Sequence, residues 1–179
     1  PVDLSGHRSS GIAAIAYARL RDFLGLPKKL IRVYDPVQQL AIVDEDVLQR
    51  FRVDTIELGR AFALEDKWWS DWTLPDGTDC LVPAWTHIER QERRWVIRAG
   101  NGTILAHMPD GALYFEQTYF PMAGTDGPRT VREALDQTMW TAIASPPGPV
   151  DTEPLREGAK QLRARTGRAI IGLFGGNLF

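Results

Sequence analysis

The chain has 179 residues, 44% of them hydrophobic and 25% charged, with a net charge of -2, and a chain of this length can bury the core of one domain. So even a charge balance excludes a general nucleic-acid binder, which carries a basic excess. No apolar run approaches the roughly 20 residues of a membrane helix, and the single Cys80 cannot form an internal disulfide, which points to a reducing, cytoplasmic setting.

In chain order, Ser9-Ser10 precede a helical pattern in which Ile12, Ile15, Ala16, Leu20, Phe23 and Leu24 recur at three and four. Arg19, Arg21 and Asp22 lie largely away from that stripe, and Gly25 and Pro27 close the helix. Asp35-Pro36-Val37-Gln38 has the spacing of a second helix start, with Asp as cap, Pro at the first position and Gln completing a capping box. Asp44-Glu45-Asp46 is a further acidic start leading into Val47, Leu48 and Phe51. Residues 53–58 include the β-branched Val53, Thr55 and Ile56 and read as a strand closed by Gly59.

From Ala61 the texture changes. Trp68, Trp69, Trp72 and Trp85 crowd around a Pro75-Asp76-Gly77 turn; such a cluster serves a sheet's own core more often than a ligand. Cys80 lies in an apparent strand, 79–82, as a packed thiol. Residues 95–98 and 103–106 flank Asn101-Gly102, a strong hairpin signal. Another Pro-Asp-Gly turn, 109–111, precedes Leu113-Tyr114-Phe115. Together these segments predict an antiparallel meander of four or five strands. Residues 130–140 are weakly helical and 145–149 form a Pro-rich linker. A helix follows over 151–167, and 169–174 reads as a buried strand.

With 61–150 set aside, three strands (2–4, 55–58 and 170–174) alternate with helices at about 30 residues per unit, the pattern of parallel α/β architecture. A complete (β/α)8 TIM barrel takes about 250 residues. The expected fold is therefore α/β, a partial (β/α)8 TIM barrel of the first three strands with an inserted antiparallel β-meander. The expected boundaries are 1–60, 61–128, 129–150 and 151–179. Both ends look cut, and such a piece would be poorly soluble without its remainder.

Barrel sites form at the carboxyl ends of strands. There the sequence puts Gly6-His7-Arg8, then Gly59-Arg60, then Gly175-Gly176-Asn177. Arginines are planar donors for carboxylates, glycines admit a ligand to the backbone, and His7 could shuttle a proton. The plain alternative is that glycines end strands and arginines decorate loops. Asp3, Asp54 and Glu57 read as structural carboxylates with partners. His87 and His107 stand apart from other metal donors, and no zinc spacing exists.

The stretches "PVDLSGHRSSGIAAIAYARLRDFLGL", "YDPVQQLAIVDEDVLQRFRVDTIELG", "DWTLPDGTDCLVPA" and "IIGLFGGNLF" together resemble the amino-terminal half of the uroporphyrinogen decarboxylase superfamily, in a branch with an inserted β-region. The resemblance implies an enzyme with a deep cleft. It is either a cofactor-free carboxy-lyase acting on a tetrapyrrole-type polycarboxylate or a methyltransferase using zinc and a corrinoid. His7 would be catalytic, Arg8, Arg60, Gly175, Gly176 and Asn177 would bind substrate, and no metal ligand would lie in this chain. The decarboxylases carry an aspartate after the second strand where this chain has Gly59-Arg60-Ala61, which reverses the local charge. Expected partners are a small anionic substrate, with no nucleic acid and no membrane, and a homodimer stays open. A third, non-enzymatic reading makes the Trp-rich meander an interaction module.

Overall fold

The computed structural model describes residues 1–58, 66–120 and 152–172. Within them the α-helices are α1 (Ala14–Phe23), α2 (Glu45–Arg50) and α3 (Thr152–Arg165). The strands are β1 (Ile31–Asp35), β2 (Leu40–Ala41), β3 (Thr55–Glu57), β4 (Trp69–Thr73), β5 (Asp79–Pro83), β6 (His87–Gln91), β7 (Arg94–Arg98), β8 (Ile104–Pro109), β9 (Glu116–Gln117) and β10 (Ala169–Ile171). Three sheets result, ordered β2-β1-β5-β4, β10-β3 and β6-β7-β8-β9.

This arrangement overturns the expected partial TIM barrel. The described residues form ten strands in three sheets against three α-helices, and strands run parallel at only two junctions, β1 with β5 and β3 with β10. Residues 2–4, expected as the first barrel strand, are not a strand. They are tied to Asp54 by single bonds: Asp54 N–H donates to the Val2 carbonyl at 2.8 Å and Val2 N–H to Asp54 Oδ2 at 2.6 Å. The error came from setting 61–150 aside. Inside that span lie β4 and β5, and β5 hydrogen-bonds β1 with Ile31 opposite Cys80. The span expected as an insert thus shares a sheet with residues before it.

Local chemistry explains the rest. At Asp35 the expected cap bonds do form, because Oδ1 accepts the N–H groups of Val37 and Gln38 at 3.1 and 3.0 Å. No helix follows. Gln39 takes φ +57, its side-chain amide donates to the Pro36 carbonyl, and the chain returns as β2. An Asx turn and a helix start share their first two hydrogen bonds, so only the fourth residue separates them. The β7–β8 hairpin forms as expected, with Gly102 at φ +86 and Asn101 Oδ1 accepting the Thr103 N–H. The β6–β7 hairpin turns at Glu92, φ +52, without the glycine or asparagine that would have announced it. Residues 113–115 precede a short β9 rather than forming a strand. The helix expected over 151–167 appears as α3, and β10 follows it. Far from being deeply buried, β10 has Ala169 exposed and both isoleucines half-buried. Residues 130–150 and 173–179 lie outside the described residues.

Two apolar clusters hold these sheets. One gathers Tyr17, Val33, Val43, Leu48, Ile56, Cys80 and Val82 between α1, α2 and the first two sheets; the other gathers Ile97, Leu105, Met108 and Phe115 on the meander. Trp72 packs against both, edge-on to Trp95 with ring centroids 6.1 Å apart and tilted on Phe115 at 6.4 Å. Trp68 and Trp85 meet edge to face at 5.9 Å, and Arg32 lies over the Trp69 ring at 5.3 Å.

Burial, aided by the charges of Asp79 and Asp76, pushes the Cys80 thiol up to about 12. Burial also raises the Tyr17 phenol to about 12, against opposing hydrogen bonds from the Asp44 N–H and Arg21. Both groups hold their protons longer folded than unfolded, so the stability they contribute is complete below their ordinary values of 9.0 and 10.0 and is lost as pH rises toward 12. Urea unfolding midpoints should therefore fall across that window, and Tyr17→Phe should remove the part of the fall above 10. Cys80 should resist thiol reagents in the native protein at neutral pH and react only after unfolding, as a colorimetric thiol assay would register.

Candidate functional site

The loop that sequence reasoning singled out, residues 5–11, is held by a set of short polar contacts. Asp3 Oδ1 accepts the Gly6 N–H at 2.9 Å and the Thr55 hydroxyl at 2.5 Å. A Cβ on Gly6 would sit 2.4 Å from that carboxylate oxygen and 2.5 Å from the Thr55 hydroxyl. Only glycine fits there. Burial alone would raise the Asp3 carboxyl, but hydrogen bonds from Thr55, Ser10 and Gly6 outweigh it and hold it below the ordinary value. Ser5 closes the loop in the left-handed region at φ +61, its N–H donating to the Ser10 carbonyl at 3.0 Å.

His7 begins a single 3-10 turn over Arg8–Ser10. Its Nδ1 accepts the Ser9 N–H at 3.0 Å and lies 3.1 Å from the Ser9 hydroxyl. Its own N–H donates to Ser10 Oγ at 3.2 Å, and its carbonyl accepts from the Ser10 hydroxyl at 2.9 Å. The side chain is exposed.

Arg8 points elsewhere. Its Nε lies 3.6 Å from Asp35 Oδ2, and that buried carboxylate also accepts from the Gln38 amide at 3.2 Å. The guanidinium therefore has its charge offset within the fold, linking the loop to the β1–β2 turn. His7 and Arg8 are adjacent in sequence but engaged by different elements.

The structural role expected for Asp3 and Asp54 matches their contacts, although the partners are backbone N–H groups and a hydroxyl rather than arginines. Glu57 sits half-buried on β3. His107 faces Glu116 at 3.7 Å within the meander. Arg60, Gly175, Gly176 and Asn177 lie outside the described residues. What is described is the approach to them: β3 and β10 run in the same direction in register Thr55–Ala169, Ile56–Ile170, Glu57–Ile171. Past that register, a Cβ on Gly172 would lie 3.7 Å from Leu58 Cδ2. The loop 5–11 touches β3 at Thr55, its first residue, and not at this departing end.

Sequence reasoning missed the Arg21 network. Arg21 is 3% exposed. Its Nη1 donates to Asp44 Oδ2 at 2.9 Å and Asp46 Oδ1 at 3.0 Å, and its Nη2 to Asp46 Oδ2 at 3.1 Å and the Pro27 carbonyl at 2.9 Å. The signal was present as Tyr17 and Arg21 four apart on one helix face, opposite an acidic cap. Beside it, a cavity of about 470 Å³ is lined by Arg21, Lys28, Lys29, Leu30, Thr78 and Asp79, of mixed charge and away from His7.

Among the described residues no three His, Cys, Asp or Glu side chains come together to hold a metal ion, and the one thiol is buried. No helix among them is long and apolar enough to cross a membrane.

Gly6→Ala should destabilise the protein by about 1–3 kcal/mol, the range for overfilling a packed site, measured as a shift in urea midpoint. Gly77→Ala is not an equivalent control, since Gly77 has open space but φ +88. Gly167→Ala, open and without that constraint, should be near neutral.

Comparison with family models, curated proteins and solved structures finds no match to this chain.

Proposed function

We propose that this chain belongs to an enzyme of the uroporphyrinogen decarboxylase type, a carboxy-lyase acting on a small polycarboxylate of the tetrapyrrole class. The observation that carries this reading is the parallel β3–β10 pair, which brings Leu58 and Gly172 side by side at one edge. The sequence just beyond those residues holds Gly59-Arg60 and Gly175-Gly176-Asn177. Parallel neighbours deliver their following loops to the same side of a sheet.

Arg60 is assigned the task of holding a substrate carboxylate through two parallel N–H donors. Gly175, Gly176 and Asn177 would admit the substrate to the backbone. Decarboxylation breaks the bond between the carboxylate carbon and its neighbour, leaving the electron pair on that neighbour, which then takes a proton as CO2 departs. Fixed donors that meet the developing charge lower the barrier. His7, in the loop 5–11 at the opposite end of the three-residue β3 from these loops, is assigned to meet a different part of the substrate. Arg8, offset by Asp35, contributes to the loop's anchorage more than to substrate charge.

The test is CO2 release from uroporphyrinogen by the full-length natural protein, kept under reducing conditions. Arg60→Ala should raise KM by roughly tenfold or more, the loss of at least about 1.4 kcal/mol of binding. An unchanged KM removes Arg60 from the site, and no release from any polycarboxylate porphyrinogen removes the carboxy-lyase reading.

A further inference from the structure

We infer that Asp3 and Thr55 are positioning residues for His7, holding the loop 5–11 so that the imidazole presents Nε2–H as a fixed hydrogen-bond donor to an anionic group. The inference deepens the proposed function and rests on it for the identity of the anion, but not for the state of the ring.

The state of the ring follows from one bond. A backbone N–H can only donate, so Nδ1, which accepts from the Ser9 N–H at 3.0 Å, must carry a lone pair there. The neutral ring then bears its proton on Nε2. An imidazolium would set two N–H groups against each other at that distance, so a protonated His7 cannot keep this loop geometry. His7 in this loop is thus a hydrogen-bond donor and not a general acid, since giving up the Nε2 proton would leave an imidazolate. A hydroxyl or carboxylate of the substrate within reach of Nε2 would be held, not protonated.

The orientation depends on residues outside the loop. Its first turn is fastened where Asp3 Oδ1 receives both the Gly6 N–H and the Thr55 hydroxyl. Gly6 leaves no space for the loop to settle differently, with a Cβ position 2.4 Å from the carboxylate. Ser5 N–H to Ser10 carbonyl closes the far side. Thr55 is the first residue of β3, so the ring's orientation is referred to the sheet rather than to a free loop. The charged neighbours are Asp3, which is near enough to interact electrostatically with the ring, and Arg8, which is turned to Asp35.

The experiment is 15N NMR of the imidazole in the full chain, at a pH above the ordinary imidazole range. His7 should show the Nε2–H tautomer, with Nδ1 shifted as a hydrogen-bonded acceptor. Asp3→Ala and Thr55→Val should move His7 to a mixture of tautomers and speed exchange of the Ser9 amide, while Thr55→Ser, which keeps the hydroxyl, should restore the wild-type signature. The amide spectrum of β7 and β8 reports whether each variant still folds. A wild-type ring in the Nδ1–H tautomer overturns the inference, as does an unchanged tautomer in folded Asp3→Ala and Thr55→Val. A correct tautomer with no CO2 release from uroporphyrinogen would leave the positioning role standing and sink only the proposed reaction.

Discussion

A buried guanidinium must be surrounded by acceptors, and the arrangement around Arg21 sets where the first half of this chain can go. Taking such a charge out of water costs several kcal/mol unless it is met by hydrogen-bonded counter-charges. Arg21 meets Asp44 and Asp46 at the start of α2 and the Pro27 carbonyl beyond α1. Tyr17 joins the set, accepting the Asp44 N–H at 2.7 Å and donating to Asp44 Oδ2 at 2.9 Å. One side chain therefore fixes the angle between α1 and α2 and the path of the segment leading to β1. The two aspartates are about a third exposed, so each pair is screened by water. The network's value lies in geometry more than in net attraction.

From that junction the chain reaches the candidate site by two routes. α1 begins against β2, with Ala14 N–H donating to the Gln39 carbonyl at 2.7 Å, and this places the loop 5–11 just before it. α2 ends at Arg50 and delivers Val53 and Asp54 to β3, where Thr55 takes hold of Asp3. The loop is thus anchored by Arg8 to the β1–β2 turn and by Asp3 to β3. Two sheets determine where a single histidine faces.

What could be read from the sequence divides along physical lines. Helix α1, the acidic start of α2, the Asn-Gly hairpin and the helix before β10 were legible, because local periodicity and turn chemistry specify them; of the expected meander only the β7–β8 hairpin was, since β5 pairs elsewhere. The face of α1 was not. The apolar stripe pointed to Ile15, Ala16 and Phe23, yet Phe23 is 86% exposed and the buried face carries Ala14, Tyr17 and Arg21. Periodicity counts an arginine as solvent-facing, and only the aspartates that arrive over twenty residues later make its burial possible. Strand β1 was overlooked for a related reason, since the helix-like start at Asp35 masked the alternation of Ile31, Val33 and Asp35. The barrel failed because pairing across sheets is a long-range choice that no local pattern records. At the site, His7 and Arg8 were legible as polar residues in a glycine-bearing loop, but their separate partners were not. Thr55, the residue that fastens the loop, looked like any β-branched strand former.

The β3–β10 junction imposes an order on synthesis. Arg168 Nε donates to the Val53 carbonyl across 115 positions of chain, so β3 leaves the ribosome long before its parallel neighbour exists. At typical elongation rates that interval is on the order of ten seconds. Throughout it, the entry to β3 is held by the Asp54 and Thr55 contacts to residues 2 and 3, while the flank that will take β10 waits with its backbone groups unsatisfied. A nascent chain in that condition is open to pairing with its neighbours on the same messenger. The brevity of β3, three residues long, is then a protection in its own right: it offers too few bonds to hold a wrong partner until the right one is made.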